Sequence, residues 1–269
     1  MKKIFEKYKS LIFIVAIVLF FIAGKIIVNG VKQNIRVKKI EVVIEDSTMH
    51  QFINNEEVLK TLLDSGVVVQ GKVYDSVNTL RIENIIRNLS VVKNAEVYVT
   101  FGGTMYIKVV QRNPIVRIIT YDKDTYYIDE EGYLMPYTGR NASRVLVASG
   151  KIDAPYALFE KKFNVKHSKM MFNRDTLLQE IYEISKYIYE NEFWKNNIEQ
   201  IYVASENEYH FIPKVGSFFI NFGEIKDYKR KFRYLKIFYK DVLPKVGWNY
   251  YSKIDLRFKK QIVCEKINN

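Results

Sequence analysis

Apolar and polar residues follow three different rhythms along this chain. From Leu11 to Ala23 thirteen apolar residues run without a break, and with Gly24, Lys25, Ile26, Ile27 and Val28 the stretch 11–28 carries a single charge. At about 1.5 Å per residue a helix of this length covers about 27 Å, close to one bilayer core. This predicts a transmembrane helix over 11–28, with Lys25 near the end, where its stem reaches the head-group layer. The tail 1–10 carries Lys2, Lys3, Lys7 and Lys9 against Glu6. Such a tail stays cytoplasmic under the positive-inside rule, which sends the chain after Asn29 across the membrane. The rival readings are a cleaved signal peptide and a soluble core helix. A signal peptide needs a shorter apolar region and a small-x-small cleavage site, which Ala23-Gly24-Lys25 followed by Ile26 does not supply.

The second rhythm starts at Ile35. Val37, Ile40, Val42 and Ile44 predict a strand within 36–45. Asn54 or Asn55, followed by Glu56 and Glu57, is a helix start, and Gly66 a stop. Val58, Leu59, Leu62 and Leu63 are the apolar stripe between them. Ile82, Ile85, Ile86 and Leu89 predict a second helix over about 78–88. Ala95, Val97 and Val99, then Met105, Ile107 and Val109, alternate on either side of Phe101-Gly102-Gly103-Thr104, a hairpin signature. The expected module, 35–112, is an antiparallel three-stranded sheet with two helices on one face.

Asn113-Pro114 breaks the pattern and marks the predicted boundary of a second domain, 113–269. Its short alternating segments predict strands at 115–120, 125–129, 133–135, 144–149, 198–204, 209–213, 217–222, 252–258 and 261–266. Two stretches have helical spacing instead. One is 175–191, through Leu177, Ile181, Ile184 and Ile188; the other is 224–242, through Ile225, Tyr228, Phe232, Leu235, Tyr239 and Val242. Pro244 and Gly247 are expected to end the latter. The segment 151–173 has no period and reads as loop. The fold class is therefore α+β: a transmembrane helix, a β-α-α-β-β module and a β-rich domain with flanking helices.

A net charge of +12 ordinarily points toward nucleic acid. On the far side of a membrane that reading falls away, and attraction to anionic lipid or wall polymer replaces it. The one cysteine, Cys264, can form no internal disulfide and no four-ligand metal site by itself. His50, His167 and His210 have no ligand spacing, and no phosphate-binding glycine loop occurs. Asp129-Glu130-Glu131 before Gly132 reads as a solvated turn, since neighbours at a strand end face opposite ways. Lys226, Lys229, Arg230, Lys231, Arg233 and Lys236 surround the last apolar stripe and read as its wet side, or as a surface for an acidic partner. No catalytic, cofactor or metal site is expected.

Several local runs resemble the bacterial cell-division family FtsQ/DivIB. Val91-Val92-Lys93-Asn94-Ala95-Glu96-Val97, the hairpin after it, and Gln111-Arg112-Asn113-Pro114-Ile115-Val116 resemble the end of that family's POTRA module and the entry to its second domain. Tyr127-Ile128-Asp129-Glu130-Glu131-Gly132 is similar to its Asp-containing turn, and Ile254-Asp255-Leu256-Arg257-Phe258 to its closing strand. The segment 151–195 has no close counterpart.

The resemblance implies a non-enzymatic protein of the plasma (inner) membrane at the division septum, with most of the chain extracytoplasmic. It implies partners of the FtsB/DivIC and FtsL type, small bitopic division proteins, in a subcomplex linked to control of septal peptidoglycan synthesis. It also implies that a partner adds a strand at the C-terminal edge. Here that edge is Gln261, Ile262, Val263, Cys264 and Glu265, beside Phe258, Lys259 and Lys260. A terminal strand leaves backbone donors and acceptors unpaired, which suits strand addition. The alternative is an edge merely guarded by Lys259, Lys260 and Lys266. Two other functions stay open on the residues alone: a membrane-anchored wall enzyme, and a POTRA-bearing assembly protein, which would need an outer-membrane barrel.

Overall fold

The computed structural model of the chain describes residues 13–25, 35–45, 51–139, 143–159, 162–167 and 173–267. A first helix, α1 (13–25), carries the described part of the apolar run, and its large side chains are exposed, Phe20 at 75% and Phe21 at 70%. The predicted span 11–28 extends beyond the described residues at both ends, as does the tail 1–10. Among the described residues no helix is long and apolar enough to cross a membrane. The chain divides into two compact units, Met1–Glu45 with Ile53–Val110 and Asp46–Phe52 with Gln111–Asn269.

In the first unit β1 (Lys39–Glu45) leads into α2 (Asn55–Asp64), α3 (Thr79–Arg87), β2 (Val92–Val99) and β3 (Thr104–Gln111). Asn54 caps α2 through a reciprocal bond with Glu57, and Asn78 caps α3 by accepting from the Arg81 N–H, so four orphan donors per helix are partly satisfied from the sequence itself. Val58, Leu62, Ile82 and Ile86 of the helices and Ala95, Val97, Met105, Ile107 and Val109 of the strands are all buried. Leu63 departs from the expected stripe and is exposed, since it lies well round the helix from Val58.

The sheet order is β1-β3-β2, and β1 pairs with β3 in parallel. The expected all-antiparallel sheet is thus corrected. The two intervening helices let β2 run opposite to β1, and the hairpin return then brings β3 back alongside β1 in the same direction. The outer edge of β2 is tied down by α3: Glu83 accepts from the Val97 N–H at 2.9 Å and Arg87 donates to the Ala95 carbonyl at 2.8 Å.

The second unit is built on one nine-stranded mixed sheet. In chain order it comprises β4 (Pro114–Ile119), β5 (Thr125–Asp129), β6 (Leu134–Pro136), β7 (Leu146–Gly150), α4 (Asn173–Glu190), α5 (Glu192–Asn197), β8 (Ile198–Ser205), β9 (Glu208–Pro213) and β10 (Phe219–Gly223). Then come α6 (Tyr228–Ile237), a π-helical turn (Phe238–Val242), α7 (Leu243–Val246), β11 (Tyr251–Asp255) and β12 (Val263–Lys266). Across the sheet the order is β12-β11-β10-β9-β8-β7-β4-β5-β6. The pairs β7–β8 and β10–β11 are parallel, each bridged by helices, as a crossover between parallel neighbours requires.

The helices bury Leu178, Ile181, Ile184, Ile188, Phe232 and Leu235 in one core with Ile201, Phe211, Ile220, Phe222 and Ile254 of the strands. Phe211, Phe222 and Phe232 form an aromatic triplet with centroids 4.4 to 5.6 Å apart. The Tyr209 hydroxyl donates to Glu180 at 2.5 Å, tying β9 to α4. The last helix corrects the expectation at Pro244: helical backbone continues through it to Val246. A proline ring collides with the carbonyl four residues earlier and offers it no N–H. The π-helical turn Phe238–Val242 lies just ahead of Pro244 and widens the spiral there.

Candidate functional site

The strand β12 is the outermost of the nine, and among the described residues no strand lies beyond it. It is held on its inner side by β11, antiparallel, with Ile254 opposite Cys264 and Asp255 opposite Val263. Ser252 Oγ donates to the Glu265 carbonyl at 3.2 Å, Lys253 Nζ pairs with Glu265 at 2.8 Å, and the Ile267 N–H donates to the Tyr250 carbonyl at 3.2 Å. Ile262 and Cys264 pack against the core. By strand alternation Val263 and Glu265 take the other face.

What precedes β12 is fixed by a second device. The Asp255 carboxylate accepts from the Arg257 N–H at 3.0 Å and from the Arg257 guanidinium at 2.7 and 3.0 Å. The short turn out of β11 is thereby clamped onto its own last residue. Burial opposes the charge on Asp255, but Arg257, and behind it Lys253, hold the carboxyl below the usual aspartate range. Gly223, at φ 65°, makes room for this clamp: a Cβ there would lie 2.6 Å from Arg257 Cγ. The run Ile254-Asp255-Leu256-Arg257 thus stations the edge strand.

The structure refines the predicted site residues. Val263, Cys264 and Glu265 lie on β12, whereas Phe258, Lys259, Lys260, Gln261 and Ile262 lie in the connection before it. The expected strands 252–258 and 261–266 are corrected to Tyr251–Asp255 and Val263–Lys266, because the Asp255–Arg257 clamp ends β11 early. Phe258 is exposed, as are Val263 and Ile267, so three large apolar side chains flank or occupy the edge. Lys259 and Lys260 are exposed in the turn, and Lys266 has its ammonium 5.2 Å from the Tyr250 ring centroid. Burial pushes the Cys264 thiol up to about 11, which keeps it protonated and poorly nucleophilic.

Other candidates from the sequence resolve differently. The solvated reading of Asp129 is corrected: its side chain is 1% exposed, its carboxylate meets Arg112 at 2.7 Å, and it accepts from the Glu131 and Tyr133 N–H groups. Glu131 reaches the same guanidinium at 3.2 Å, so residues two apart in this turn converge on one cation. His210 is half-buried on β9, with Nε2 3.6 Å from Glu208. His167 is exposed and His50 lies outside the described residues. In the basic helix Lys231 turns inward and donates to the Phe222 and Glu224 carbonyls, its pKa lowered by burial. Among the described residues no group of three or more His, Cys, Asp or Glu is placed to hold a metal ion. Sequence reading missed the Arg112–Asp129 pair and the Asp255–Arg257 clamp. The only signal for either was an Arg–Asp combination beside a strand end.

The strand-helix-helix-strand-strand unit and the larger sheet define a class, a POTRA-like module followed by a larger mixed-sheet domain, and a family model for the POTRA-like domain matches residues 36–110. A second model, described as FtsQ/DivIB, C-terminal related, matches 113–265, more than half of the chain, and the chain belongs to the FtsQ/DivIB family. No curated protein matches it. Family members are non-catalytic scaffolds, and this membership gives the chain a divisome or assembly role in contact with other division components. Domains of this kind typically sit in the periplasm, attached to the inner membrane.

Proposed function

We propose that this protein is a single-pass division scaffold whose second domain receives a strand from a small bitopic partner along β12. The partner is of the FtsB/DivIC or FtsL type, and the contact links it to control of septal peptidoglycan synthesis. One observation carries the reading: among the described residues the sheet ends on a strand with no neighbour on its outer edge, flanked by exposed Phe258, Val263 and Ile267. Main-chain bonds to an added strand supply register, and apolar side chains beside it supply anchors. The exposed apolar surface of α1 supports membrane anchorage over 11–28, since such a surface is stable only when something apolar covers it.

The test is co-purification of the full chain with such a partner. Val263→Pro removes a backbone donor and bends the edge, and should abolish capture while thermal unfolding of the protein barely moves. Phe258→Ala should weaken capture by about 2 kcal/mol, roughly thirtyfold, as an interface anchor does. A folded Val263→Pro protein that still captures the partner normally overturns strand addition at β12. Topology is tested separately: protease added to spheroplasts should remove everything after about Asn34, and a protected C-terminus overturns the anchor.

A further inference from the structure

A second surface lies on α6 and the π-helical turn that follows it. Its inner stripe, Phe232 and Leu235 and then Tyr239 of the π-helical turn, is buried in the core. One position round from that stripe, at the same three-four spacing, stand Lys229, Arg233, Lys236 and Lys240. Lys229, Arg233 and Lys240 are exposed, and Lys236 lies with its ammonium 5.1 Å from the Phe193 ring centroid. Among the described residues none of the four has a carboxylate within ion-pair distance, whereas neighbouring Arg230 pairs with Asp227 at 3.0 Å. Lys231, the inward cation, is already spent on two backbone carbonyls.

The result is a row of cations about 16 Å long, without carboxylate partners among the described residues, that runs along α6 and into the π-helical turn after it. A row of like charges along a helix is self-repelling and gains from a counter-charge of the same shape. A membrane-surface helix would also need a free apolar face, and the apolar face of α6 is occupied by its own core. What remains outward is mainly electrostatic and linear, with Ile237 the one large apolar side chain of α6 exposed beside it.

We infer that this flank of α6 binds a linear phosphodiester polyanion of the extracytoplasmic side, a poly(alditol phosphate) chain. The choice of such a polymer over a nucleic acid rests on the topology proposed above. Release of small counter-ions from the polymer makes the affinity steeply salt-dependent, with each bound cation adding to the slope.

The probe is poly(glycerol phosphate), titrated into the full chain in nanodiscs of neutral phosphatidylcholine. Lys229→Glu, Arg233→Glu and Lys240→Glu together should weaken binding by about tenfold or more and flatten its salt dependence. A matching set of exposed lysines elsewhere, Lys60→Glu, Lys72→Glu and Lys151→Glu, should change it less than about twofold. The corresponding Gln variants keep the test open if the Glu set unfolds. Equal loss in both sets would reduce the effect to net charge and overturn the site.

Lysine acylation read by mass spectrometry locates the occupant. The polymer should slow labelling of Lys229 and Lys240, whereas replacing the disc lipid by phosphatidylglycerol should not. Protection by anionic lipid alone would make the strip a membrane face and overturn the inference. The triple variant should still capture the bitopic partner. Loss of that capture with polymer binding unchanged would assign the strip to a protein interface instead. Polymer binding is measured without reference to topology and protease protection without reference to α6, so each reading can fail alone.

Discussion

The two ends of the nine-stranded sheet carry the same local device and treat it in opposite ways. At one end β5 stops at Asp129, whose carboxylate accepts the N–H two residues on and pairs with Arg112. At the other, β11 stops at Asp255, whose carboxylate accepts the N–H two residues on and pairs with Arg257. Both aspartates set the turn that leads to an outermost strand.

Beyond that the ends diverge. The short β6 ends at Pro136, and the segment around Asn164 covers it: Leu134 N–H donates to the Phe163 carbonyl at 3.1 Å and Val165 N–H to the Gly132 carbonyl at 2.9 Å. A proline and a covering loop are two of the ways proteins close a sheet edge. Among the described residues β12 has neither, and its lysines stand mainly in the turn before it. One edge of this single sheet is guarded and, among the described residues, the other is open, and that contrast supports the proposed strand addition at β12.

The largest effect should come from the closed end. Arg112→Met leaves the Asp129 carboxylate buried without its cation, or forces it to take up a proton. Breaking a buried pair in this way costs about 3–5 kcal/mol, to be read from urea unfolding of the full chain. Arg257→Met at the open end removes a cation that is 46% exposed, and should cost no more than about 1 kcal/mol. Equal losses would mean that the two clamps are not different in kind.

A smaller contrast lies in the backbone. Gly132 has φ 93°, and a Cβ there would meet Lys166 Cγ at 3.0 Å and Asn164 Oδ1 at 3.1 Å. Gly132→Ala should cost about 1–2 kcal/mol and loosen the cover over β6, seen as faster hydrogen exchange at Leu134 and Val165. In the turn before β12 a lysine, Lys260, holds φ 65°. Lys260→Gly should there stabilise by up to about 0.5 kcal/mol, the relieved left-handed strain being partly offset by chain entropy.

Acid should separate the ends by sign. Burial raises the Asp129 pKa above its ordinary 3.8, despite Arg112 and two N–H donors, whereas Asp255 is held below 3.8. A raised carboxyl contributes stability that is fully present below 3.8 and lost as pH rises through the folded value. A depressed one contributes stability present above 3.8 and lost as pH falls through the folded value. Lowering pH through this window should therefore speed exchange at Cys264 and Glu265 relative to Leu134 and Met135. The opposite ordering would show that another titration dominates.

Much of the local structure was legible in the chain. An asparagine followed by Glu56 and Glu57 announced α2, the spacing of Ile82, Ile85, Ile86 and Leu89 announced α3, and period-two alternation around Gly102-Gly103 announced β2 and β3. The 4-3-4 spacing of Leu177, Ile181, Ile184 and Ile188 announced α4, although α5, capped by Asn191 around buried Trp194, was too short to show a period. The alternation of Ile262 and Cys264 marked a closing strand, but not its first residue, since the clamp that ends β11 acts through Arg257 rather than through any hydrophobic pattern.

By itself the sequence determined most of the longer helices and strands and the apolar face of each, because side-chain period is a property of a few consecutive residues. Tertiary structure alone decided that β1 runs parallel to β3, that Asp129 is buried on Arg112, and that β12 is the last strand of nine. Each of those depends on which distant segment arrives alongside. The same Asp-turn is wet or dry, and the same strand central or exposed, according to neighbours brought in by chain closure over tens of residues, for which local periodicity carries no signal.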